Sequence, residues 1–472
     1  MTRDEFVALL RQQPLVVSVQ ASEGSAIDDV YTLLRLARAS VAQGVRVLRL
    51  EGADRVAHIR KETGAATIGL IKASYPDSPV YITPTVAEVE TLIDTGCEAI
   101  ALDATMRARP ENAKLREMIK RVHKGGALAM ADCDTVEAAD AAIEAGADLI
   151  GTTLSGYTDA RPLTAGPDLD LLREIVQRTG MPVLAEGRFS RRWEVEAALR
   201  IGAAGVVVGG AINDPVKNTR ALMPWPKLTG NVGAVDIGGT WIRYAVFSPE
   251  WDLLDVEREP LPPTKKARQE WIKAQLRTED VCALGVSTGG TVDPATGEVW
   301  TAKDIIPDHI GSRFDEATFG LPTRALDDGL AQAWGHACLP QFAGKRVATL
   351  AIGTGVGCGF VSEGRIWMGR RGEYSHVNDL PILDGRTCEE ALAGRFLGPQ
   401  ATDEEKVLAE KALRIAIETI GTMWFPNEIV VCGSVGLASW MQPTVASLGL
   451  KVSPFGADAG LFGAAALVLF RE

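Results

Sequence analysis

The stretch GAVDIGGTWIRYAVF, residues 233–247, decides how the chain is divided, because the sequence pattern changes at this point. An apolar run at 234–237 leads into a Gly-Gly-Thr turn, and a second apolar run at 241–247 follows at once. Two strands joined by such a turn form a β-hairpin, in which glycine permits a tight turn or a close approach to a ligand. A second unit of this form is predicted at 349–361, and a long helix is predicted at 404–425.

On the N-terminal side, residues 1–222 repeat a different pattern, in which a short apolar run precedes an amphipathic, alanine-rich segment that often ends in glycine. Strands that alternate with helices form parallel βα units. Eight such units in this length favour a closed (β/α)8 (TIM) barrel over a doubly wound sheet, which usually has fewer strands. The predicted strands are 15–20, 45–50, 67–71, 99–103, 127–132, 149–152, 182–185 and 205–208.

Residues 223–232 contain two prolines and a glycine and are predicted to be a linker. The chain of 472 residues exceeds the size of a single core, so two domains are expected, at 1–222 and 233–472.

Composition excludes several classes of protein. The formal net charge of −12 argues against a nucleic-acid-binding surface, which requires clustered Lys and Arg. No stretch approaches the roughly 20 apolar residues that span a bilayer, and the N-terminus does not resemble a signal peptide. The seven cysteines are scattered and none has CxxC spacing, which predicts reduced thiols in a cytoplasmic protein.

In a (β/α)8 barrel the active site lies at the C-terminal ends of the strands. Lys72 and Glu186 follow the third and seventh predicted strands, on opposite sides of the mouth. Two titratable groups on opposite sides of a bound carbon suit removal of a proton from one face and its return to the other, as an epimerase requires. A lysine base must be neutral, so desolvation or a nearby cation such as Arg49 has to lower its pKa. A purely structural ion-pair network could account for the presence of one or two of the acidic residues at the strand ends, but it does not account for all of them.

Gly209 and Gly210 follow the eighth strand, where barrels commonly bind phosphate through backbone N–H groups. A diglycine is on its own also compatible with an ordinary turn.

The first domain resembles N-acetylmannosamine-6-phosphate 2-epimerases in the strings VSVQ (17–20), LRLEG (48–52), IGLIK (68–72), IGTTLSGYT (150–158), LAEGR (184–188) and VVVGGAI (206–212). The resemblance implies that Lys72 removes the C2 proton of the open-chain sugar phosphate and that Glu186 is the acid partner. It implies no metal or other cofactor. The residues expected to contact sugar or phosphate are Gln20, Arg49, Asp132, Arg188, Gly209 and Gly210.

The second domain has no GxxxxGK[ST] motif, so a P-loop is excluded. Its two glycine hairpins could instead bind the phosphates of a nucleotide, and a carboxylate could serve as the base for a hydroxyl acceptor. Asp327 and Asp328 open a predicted helix. Either could be a simple helix cap, and one of the two is well placed as that base.

This domain resembles the ROK family of sugar kinases in VDIGGT (235–240), GVSTGG (285–290), LDDGLAQAW (326–334), IGTGVGCGFV (352–361), VVCGSVGLA (430–438) and DAGLFGAA (458–465). The resemblance implies a two-lobed, actin-like (ribonuclease H-like) fold, ATP with Mg²⁺ as cosubstrate, and Asp328 as the catalytic base. The residues it implies for ATP are Asp236, Gly238, Gly239, Thr240, Thr354, Gly355, Gly357, Gly433 and Ser434. Those it implies for the sugar are Asp304, Asp327, Glu373, His376 and Glu390.

The second domain also departs from the ROK pattern. Family members usually carry a zinc site built from a His and a CGCxxxGC cluster, whereas this chain reads SHVNDLPILDGRTCEE at 375–390. One His and one Cys cannot complete a tetrahedral site, so no structural zinc is expected. Asp304 stands where an Asn commonly contacts the sugar.

Together the two resemblances predict a bifunctional enzyme of sialic-acid catabolism that phosphorylates N-acetylmannosamine and epimerises the product. One alternative is an active epimerase fused to a degenerate, non-catalytic sugar-binding module. Another is a sugar-sensing repressor, but such proteins carry a helix-turn-helix where this chain has a barrel. The expected partners are amino sugars and ATP, with self-association, which both folds commonly show.

Overall fold

The computed structural model describes residues 1–22, 24–278, 280–303, 305–383, 385–398 and 401–470. The chain forms two compact units, Met1–Pro224 and Trp225–Glu472. The boundary between them falls inside the predicted linker, and a strand begins within that stretch, at Asn231. Across the ranges described, no helix combines the length and apolar character needed to cross a bilayer.

The first unit is a closed barrel of eight parallel strands, in sequence order, which confirms the predicted fold. The register between the first and last strands, such as Leu15 opposite Val206, closes it. The strands are β1 Leu15–Val19, β2 Val47–Glu51, β3 Ala66–Leu70, β4 Ala99–Asp103, β5 Leu128–Asp132, β6 Leu149–Gly151, β7 Val183–Glu186 and β8 Gly205–Val208.

Helices surround the barrel, and most of them bury apolar side chains against its strands. Most also begin at a Thr or Asp whose side chain caps the first turn. They are α1 Arg3–Gln12, α2 Val30–Ala42, α3 Ala53–Thr63, α4 Val86–Ile93, α5 Leu115–Lys124, α6 Val136–Ala145, α7 Leu169–Arg178, α8 Arg192–Ile201, α9 Gly210–Asn213 and α10 Pro215–Leu222.

One end of the barrel is sealed by α1. Its Phe6 and Leu10 are fully buried and pack in one cluster with the inward-facing strand residues Val16, Met130 and Leu184. Because the N-terminal end and the interior are filled with apolar side chains, a ligand can enter only at the C-terminal ends of the strands.

The second unit contains two five-stranded sheets with the same strand order. In each sheet three antiparallel strands continue into two parallel ones, ordered β11-β10-β9-β12-β15 and β18-β17-β16-β21-β22. The strands are β9 Asn231–Ile237, β10 Trp241–Phe247, β11 Leu253–Pro260, β12 Val281–Thr288, β13 Thr291–Val292, β14 Val299–Thr301, β15 Thr323–Asp327, β16 Val347–Ile352, β17 Val356–Ser362, β18 Arg365–Ile366, β19 Pro381–Leu383, β20 Arg386–Thr387, β21 Glu428–Cys432 and β22 Lys451–Val452. This repeated topology confirms the two-lobed architecture that the ROK resemblance implies.

Two helices pack between the sheets. The helix α13 contacts β16 and β17, α18 contacts β9 and β12, and the two helices contact each other. The helices of this unit are α11 Lys265–Thr278, α12 Glu316–Phe319, α13 Asp328–Ala337, α14 Cys388–Leu392, α15 Gly394–Leu397, α16 Asp403–Trp424, α17 Gln442–Ser447 and α18 Ala459–Leu469. Both predicted hairpins are confirmed, β9–β10 as the first hairpin and β16–β17 as the second.

Candidate active sites

A cavity of about 680 Å³ opens at the C-terminal ends of the barrel strands; we call it the barrel cavity. Of the residues predicted for the first site, seven line it: Gln20, Arg49, Lys72, Glu186, Arg188, Gly209 and Gly210. The eighth, Asp132, lies directly behind this lining and is fully buried.

Arg49 links the acids of the barrel cavity. Its side chain projects from β2, is only 4% exposed, and donates to Glu186 Oε1 and to Asp132 Oδ2, both at 2.5 Å. The Thr153 hydroxyl donates to Asp132 at 2.6 Å, which completes the network. Burial raises the pKa of Asp132 against the effect of Arg49. The network fixes the Glu186 carboxyl at the cavity wall.

The two groups predicted to move protons have opposite pKa shifts. The Lys72 side chain is exposed to the cavity, yet desolvation, followed by the charge of Arg49, lowers its pKa. Desolvation raises the pKa of Glu186 to about 7, although Arg49 acts to lower it. Near neutral pH a substantial fraction of Glu186 is therefore a proton donor, while Lys72 is more easily neutral than an ordinary lysine.

The loop after β3 determines the position of Lys72. Lys72 forms an isolated antiparallel bridge with Ile82, and the N–H of Ala73 donates to the carbonyl of Tyr81 at 3.0 Å. The Tyr81 ring thereby reaches the cavity lining, and burial raises the pKa of its hydroxyl. The hydroxyl stays protonated and can donate to a ligand.

One end of the barrel cavity is formed by the diglycine and a lysine. Gly209 and Gly210 form the start of α9, and the Lys217 side chain, 68% exposed, lines the cavity beside them. Its partner Asp214 is 3.6 Å away.

Arg188, which was also predicted to contact the ligand, has its guanidinium nitrogens bonded to other protein groups. They donate to the carbonyl oxygens of Ser155 and Gly166 and to a threonine hydroxyl. Arg188 therefore fastens the loop after β6.

The second unit contains a cavity of about 350 Å³ between the two hairpins, which we call the central cavity. The predicted residues that line it are Gly238, Gly239, Asp327, Asp328, Thr354, Gly355, Gly357, His376 and Gly433. An adjoining pocket of about 710 Å³, the outer groove, is lined by Thr240, Thr354 and Ser434 among others. Thr354 borders both.

The two adjacent aspartates have different surroundings, although both accept from the N–H of Gly329. Asp327 is the N-cap of α13, accepting from the Gly329 N–H at 2.9 Å, and the Tyr374 hydroxyl donates to it at 2.7 Å. Asp328 is half-buried and points at the second hairpin, where a Cβ on Gly357 would lie 3.1 Å from its Oδ1. Burial, followed by the carboxylate of Asp236, raises the pKa of Asp328 to about 6. Asp328 is thus the carboxylate of the pair that can accept a proton inside the cavity.

Four predicted residues of the second site lie elsewhere or outside the described ranges. Asp236 is buried near the end of β9, within the first hairpin, where Arg243 of β10 donates to it through two nitrogens. Glu373 is exposed and accepts from the N–H of Arg371 at 2.7 Å, within a tight loop. Glu390 is also exposed, because its carboxylate completes the capping box of α14. Asp304 lies outside the residues that the structure describes.

Among the residues described, no three His, Cys, Asp or Glu side chains are grouped as metal ligands. Cys388 is buried, and the ring of His376 instead packs at a tilt against that of Tyr374, with ring centroids 4.4 Å apart. The expectation of no structural zinc remains a prediction.

Comparison with known proteins identifies the family. The family model described as "Putative N-acetylmannosamine-6-phosphate epimerase" matches residues 33–223, and that of the ROK family matches residues 232–389. The "Bifunctional enzyme NanE/NanK" of Brucella melitensis is 33% identical over 516 residues, which cover 98% of this chain and 97% of that protein. The chain belongs to the family of bifunctional NanE/NanK enzymes.

Two solved structures resemble one half of this NanE/NanK family member each. The N-acetylmannosamine-6-phosphate 2-epimerase from Clostridium perfringens is 38% identical and covers 46% of this chain and 94% of its own, with a TM-score of 0.45. A ROK family glucokinase from Streptomyces griseus is 21% identical and covers 50% of this chain and 99% of its own, with a TM-score of 0.43.

Sequence reasoning missed several residues that line these NanE/NanK cavities: Tyr81, Lys217, Lys303, Tyr374, Glu389 and Arg395. None directly follows a predicted strand, so the rule of strand ends did not select them. Glu389 adjoins the predicted Glu390, and consecutive residues in a helix point about 100° apart, so a shift of one position changes which carboxyl enters the cavity. The only hint of Glu389 in the sequence was that two glutamates follow Cys388, so that either of them could have entered the cavity.

Proposed function

We propose that the chain catalyses two consecutive steps of sialic-acid breakdown. The second unit transfers a phosphoryl group from ATP to O6 of N-acetylmannosamine, and the barrel converts that product into N-acetylglucosamine 6-phosphate. The observation that carries the proposal is the pair of opposite pKa shifts on Lys72 and Glu186 in one cavity, with Arg49 bonded to the acid. Membership of the NanE/NanK family supports the pairing of the two activities. The proposed location is the cytoplasm.

In the proposed epimerisation, the open-chain sugar makes the C2 proton acidic because C2 is adjacent to the aldehyde. Neutral Lys72 removes this proton, and the electron pair of the C–H bond moves toward the aldehyde oxygen. Protonated Glu186 then returns a proton to C2 from the opposite face and becomes a carboxylate. Arg49 stabilises this carboxylate, since its Nη1 lies 2.5 Å from Glu186 Oε1. The lysine ends the turnover as ammonium, and exchange with solvent restores both groups.

The sugar phosphate needs an anion site at a fixed distance from C2. The backbone of Gly209 and Gly210 supports this role, because both residues line the cavity and neither has a side chain that would keep an anion away from its N–H group. Lys217 supplies positive charge, because its partner Asp214 is 3.6 Å away and the lysine head group remains exposed. We therefore add Lys217 to the phosphate-binding residues.

In the proposed phosphorylation, Asp328 accepts the proton of the sugar hydroxyl as its oxygen attacks the terminal phosphorus of ATP. A pKa of about 6 suits this task, because the group is largely ionised at neutral pH yet basic enough to take a proton. The glycine hairpins supply backbone donors to the phosphates, with Mg²⁺ bound to ATP as part of the substrate.

A single assay tests both steps. The purified chain is given N-acetylmannosamine and MgATP, and the phosphosugars formed are identified by mass spectrometry and ³¹P NMR. The proposal requires N-acetylmannosamine 6-phosphate to appear first and N-acetylglucosamine 6-phosphate to follow. In ²H₂O the final product should carry deuterium at C2, and Lys72→Ala should abolish that incorporation.

Two results would change the assignment. If the chain epimerises the supplied 6-phosphate but forms no phosphosugar from ATP, the second unit is the non-catalytic sugar-binding module instead. Continued deuterium exchange in Lys72→Ala would assign the base to another residue.

A further inference from the structure

A buried carboxylate between the central cavity and the outer groove is paired with two cations. The Glu389 side chain is only 4% exposed. Lys303 Nζ donates to Glu389 Oε2 at 2.7 Å, and Arg395 Nη2 lies 3.0 Å from Glu389 Oε1. Asn378 adds a third donor at 3.2 Å. Each oxygen of this carboxylate is therefore bound to a different cation.

The two cations reach the cavities from different parts of the fold. Lys303 follows β14, beside the first sheet, and lines the central cavity, whereas Arg395 lies on α15 and lines the outer groove. Between them Glu389 lies against the second hairpin, where a Cβ on Gly355 would be 3.1 Å from its Oε1. The N–H of Arg395 also donates to the carbonyl of Thr354, the residue that borders both cavities, at 3.3 Å. Two cationic side chains, paired with the carboxylates of Glu389 and Asp379, thus flank the junction where the cavities meet.

Phosphoryl transfer develops negative charge on the transferred group, and fixed positive charge at that point accelerates the reaction. Among the described residues that line the two cavities, the only Lys and Arg side chains are Lys303, Arg395 and Lys406. Lys406 pairs with Asp403 on its own helix and has no bond to Glu389. Although burial acts to lower it, hydrogen bonds to Asp379 and Glu389 raise the pKa of Lys303, so it remains an ammonium.

We propose that Lys303 and Arg395 stabilise the phosphoryl group as it passes from the nucleotide in the outer groove to the sugar in the central cavity, and that Glu389 is the positioning residue for both. This inference rests on the proposed kinase function and adds the source of its fixed positive charge. Asp379, whose side chain is 53% exposed, can release Lys303 when the phosphates bind, whereas buried Glu389 keeps the cation in place.

The test compares Lys303→Met, Arg395→Met and Glu389→Gln with the unmodified chain in steady-state kinase assays. We expect each Met variant to lower kcat by about 100-fold, the effect typical of removing one transition-state donor. The KM for N-acetylmannosamine should change less than about threefold, because the charge acts on the transferred group. Glu389→Gln should lower kcat by about tenfold, since both cations remain but are less well fixed.

A matched control is Lys345→Met, which removes a lysine that pairs with Glu428 at 2.7 Å and lines neither cavity. Its kcat should stay within about twofold of the unmodified chain. The conservative variants Lys303→Arg and Arg395→Lys separate charge from packing and should recover at least about a tenth of the original kcat. A thermal melt of each variant shows whether it folds. If a Met variant does not fold, the conservative variant at the same position tests the inference in its place.

Three outcomes would overturn the inference: Met variants with kcat within threefold of the unmodified chain, a rise in sugar KM with kcat unchanged, or conservative variants as slow as the Met variants. All three require an unmodified chain that phosphorylates the sugar. A chain that forms no phosphosugar at all contradicts the proposed kinase function itself, so the two failures are distinguishable.

Discussion

At the scale of single residues, desolvation and one arginine together shift the pKa values of the barrel site. Desolvation disfavours charge, so it lowers the pKa of Lys72 and raises that of Glu186 to about 7. Arg49 acts differently, because its positive charge lowers the pKa of both groups. Arg49 therefore shifts, to lower pH, the range in which the proposed base is neutral and the proposed acid is protonated.

This difference predicts the pH dependence of the barrel reaction. In the proposed mechanism, turnover of N-acetylmannosamine 6-phosphate needs neutral Lys72, which is lost as the pH falls through its pKa. It also needs protonated Glu186, which is lost as the pH rises above about 7. The profile of kcat/KM should be bell-shaped. Arg49→Gln should move both arms to higher pH and lower the maximum by about 10- to 100-fold, since Asp132 also loses its partner.

The measurement is kcat/KM for the epimerase between pH 5 and 9. Arg60→Gln is the control, because Arg60 pairs with Glu98 at 2.7 Å and does not line the barrel cavity. Its profile should match that of the unmodified chain. An Arg49→Gln profile with unmoved arms would contradict the role of Arg49.

Residues directly after a strand could be predicted, and residues on loops or short helices could not. Lys72 and Glu186 follow apolar runs whose ends meet at one rim, so the barrel alone brings them into one cavity. Lys217 reaches the same cavity from the first turn of α10, and this depends on how the diglycine loop folds. Likewise, the choice of Glu389 over Glu390 depends on where α14 begins.

At the scale of elements, the approach of α13 to β17 determines where Asp328 points. A Cβ on Gly359 would lie 2.2 Å from the carbonyl oxygen of Gly329, so the helix and the strand touch through two glycines. Asp328 is the first residue of that helix. Any side chain at this contact must push the helix away from the second hairpin and carry the carboxylate with it.

Gly359→Ala should therefore lower the kcat of the kinase by at least tenfold and destabilise the second unit by about 1–3 kcal/mol, the usual cost of overpacking. Epimerase activity should not change. The control is Gly421→Ala on α16, where a Cβ meets no atom within 4 Å. It should stabilise the unit by about 0.5–1 kcal/mol, since alanine suits a helix interior. Thermal melts and both assays check this, and a fully active Gly359→Ala would contradict it.

Element positions were more predictable than element pairings. The eight barrel strands and the long helix α16 were located to within two residues, because each is an uninterrupted apolar or amphipathic run. The short ribbon β13–β14, which leads to Lys303, was not predicted, because two or three residues carry no periodic pattern. The shared strand order of the two sheets also escaped prediction, since it depends on contacts between residues far apart in sequence.

At the scale of the whole molecule, each proposed reaction has its own compact unit. Lys72 and Arg49 line a cavity of the first unit, and Asp328 lines a cavity of the second, each built from residues of one unit alone. A substitution at one site should therefore leave the chemistry of the other site intact. Separate molecules of the chain can also catalyse the two steps, provided that the phosphorylated intermediate is released into solution.

Variants of the two units should consequently complement each other. Lys72→Ala should convert N-acetylmannosamine and MgATP into N-acetylmannosamine 6-phosphate and stop there, because it lacks the base for C2. Asp328→Asn should leave N-acetylmannosamine unphosphorylated but epimerise the supplied 6-phosphate at the normal rate. Mixed in equal amounts, the two variants should form N-acetylglucosamine 6-phosphate, after a lag in which the intermediate accumulates, as followed by ³¹P NMR. An Asp328→Asn variant that has also lost its epimerase activity would contradict this independence.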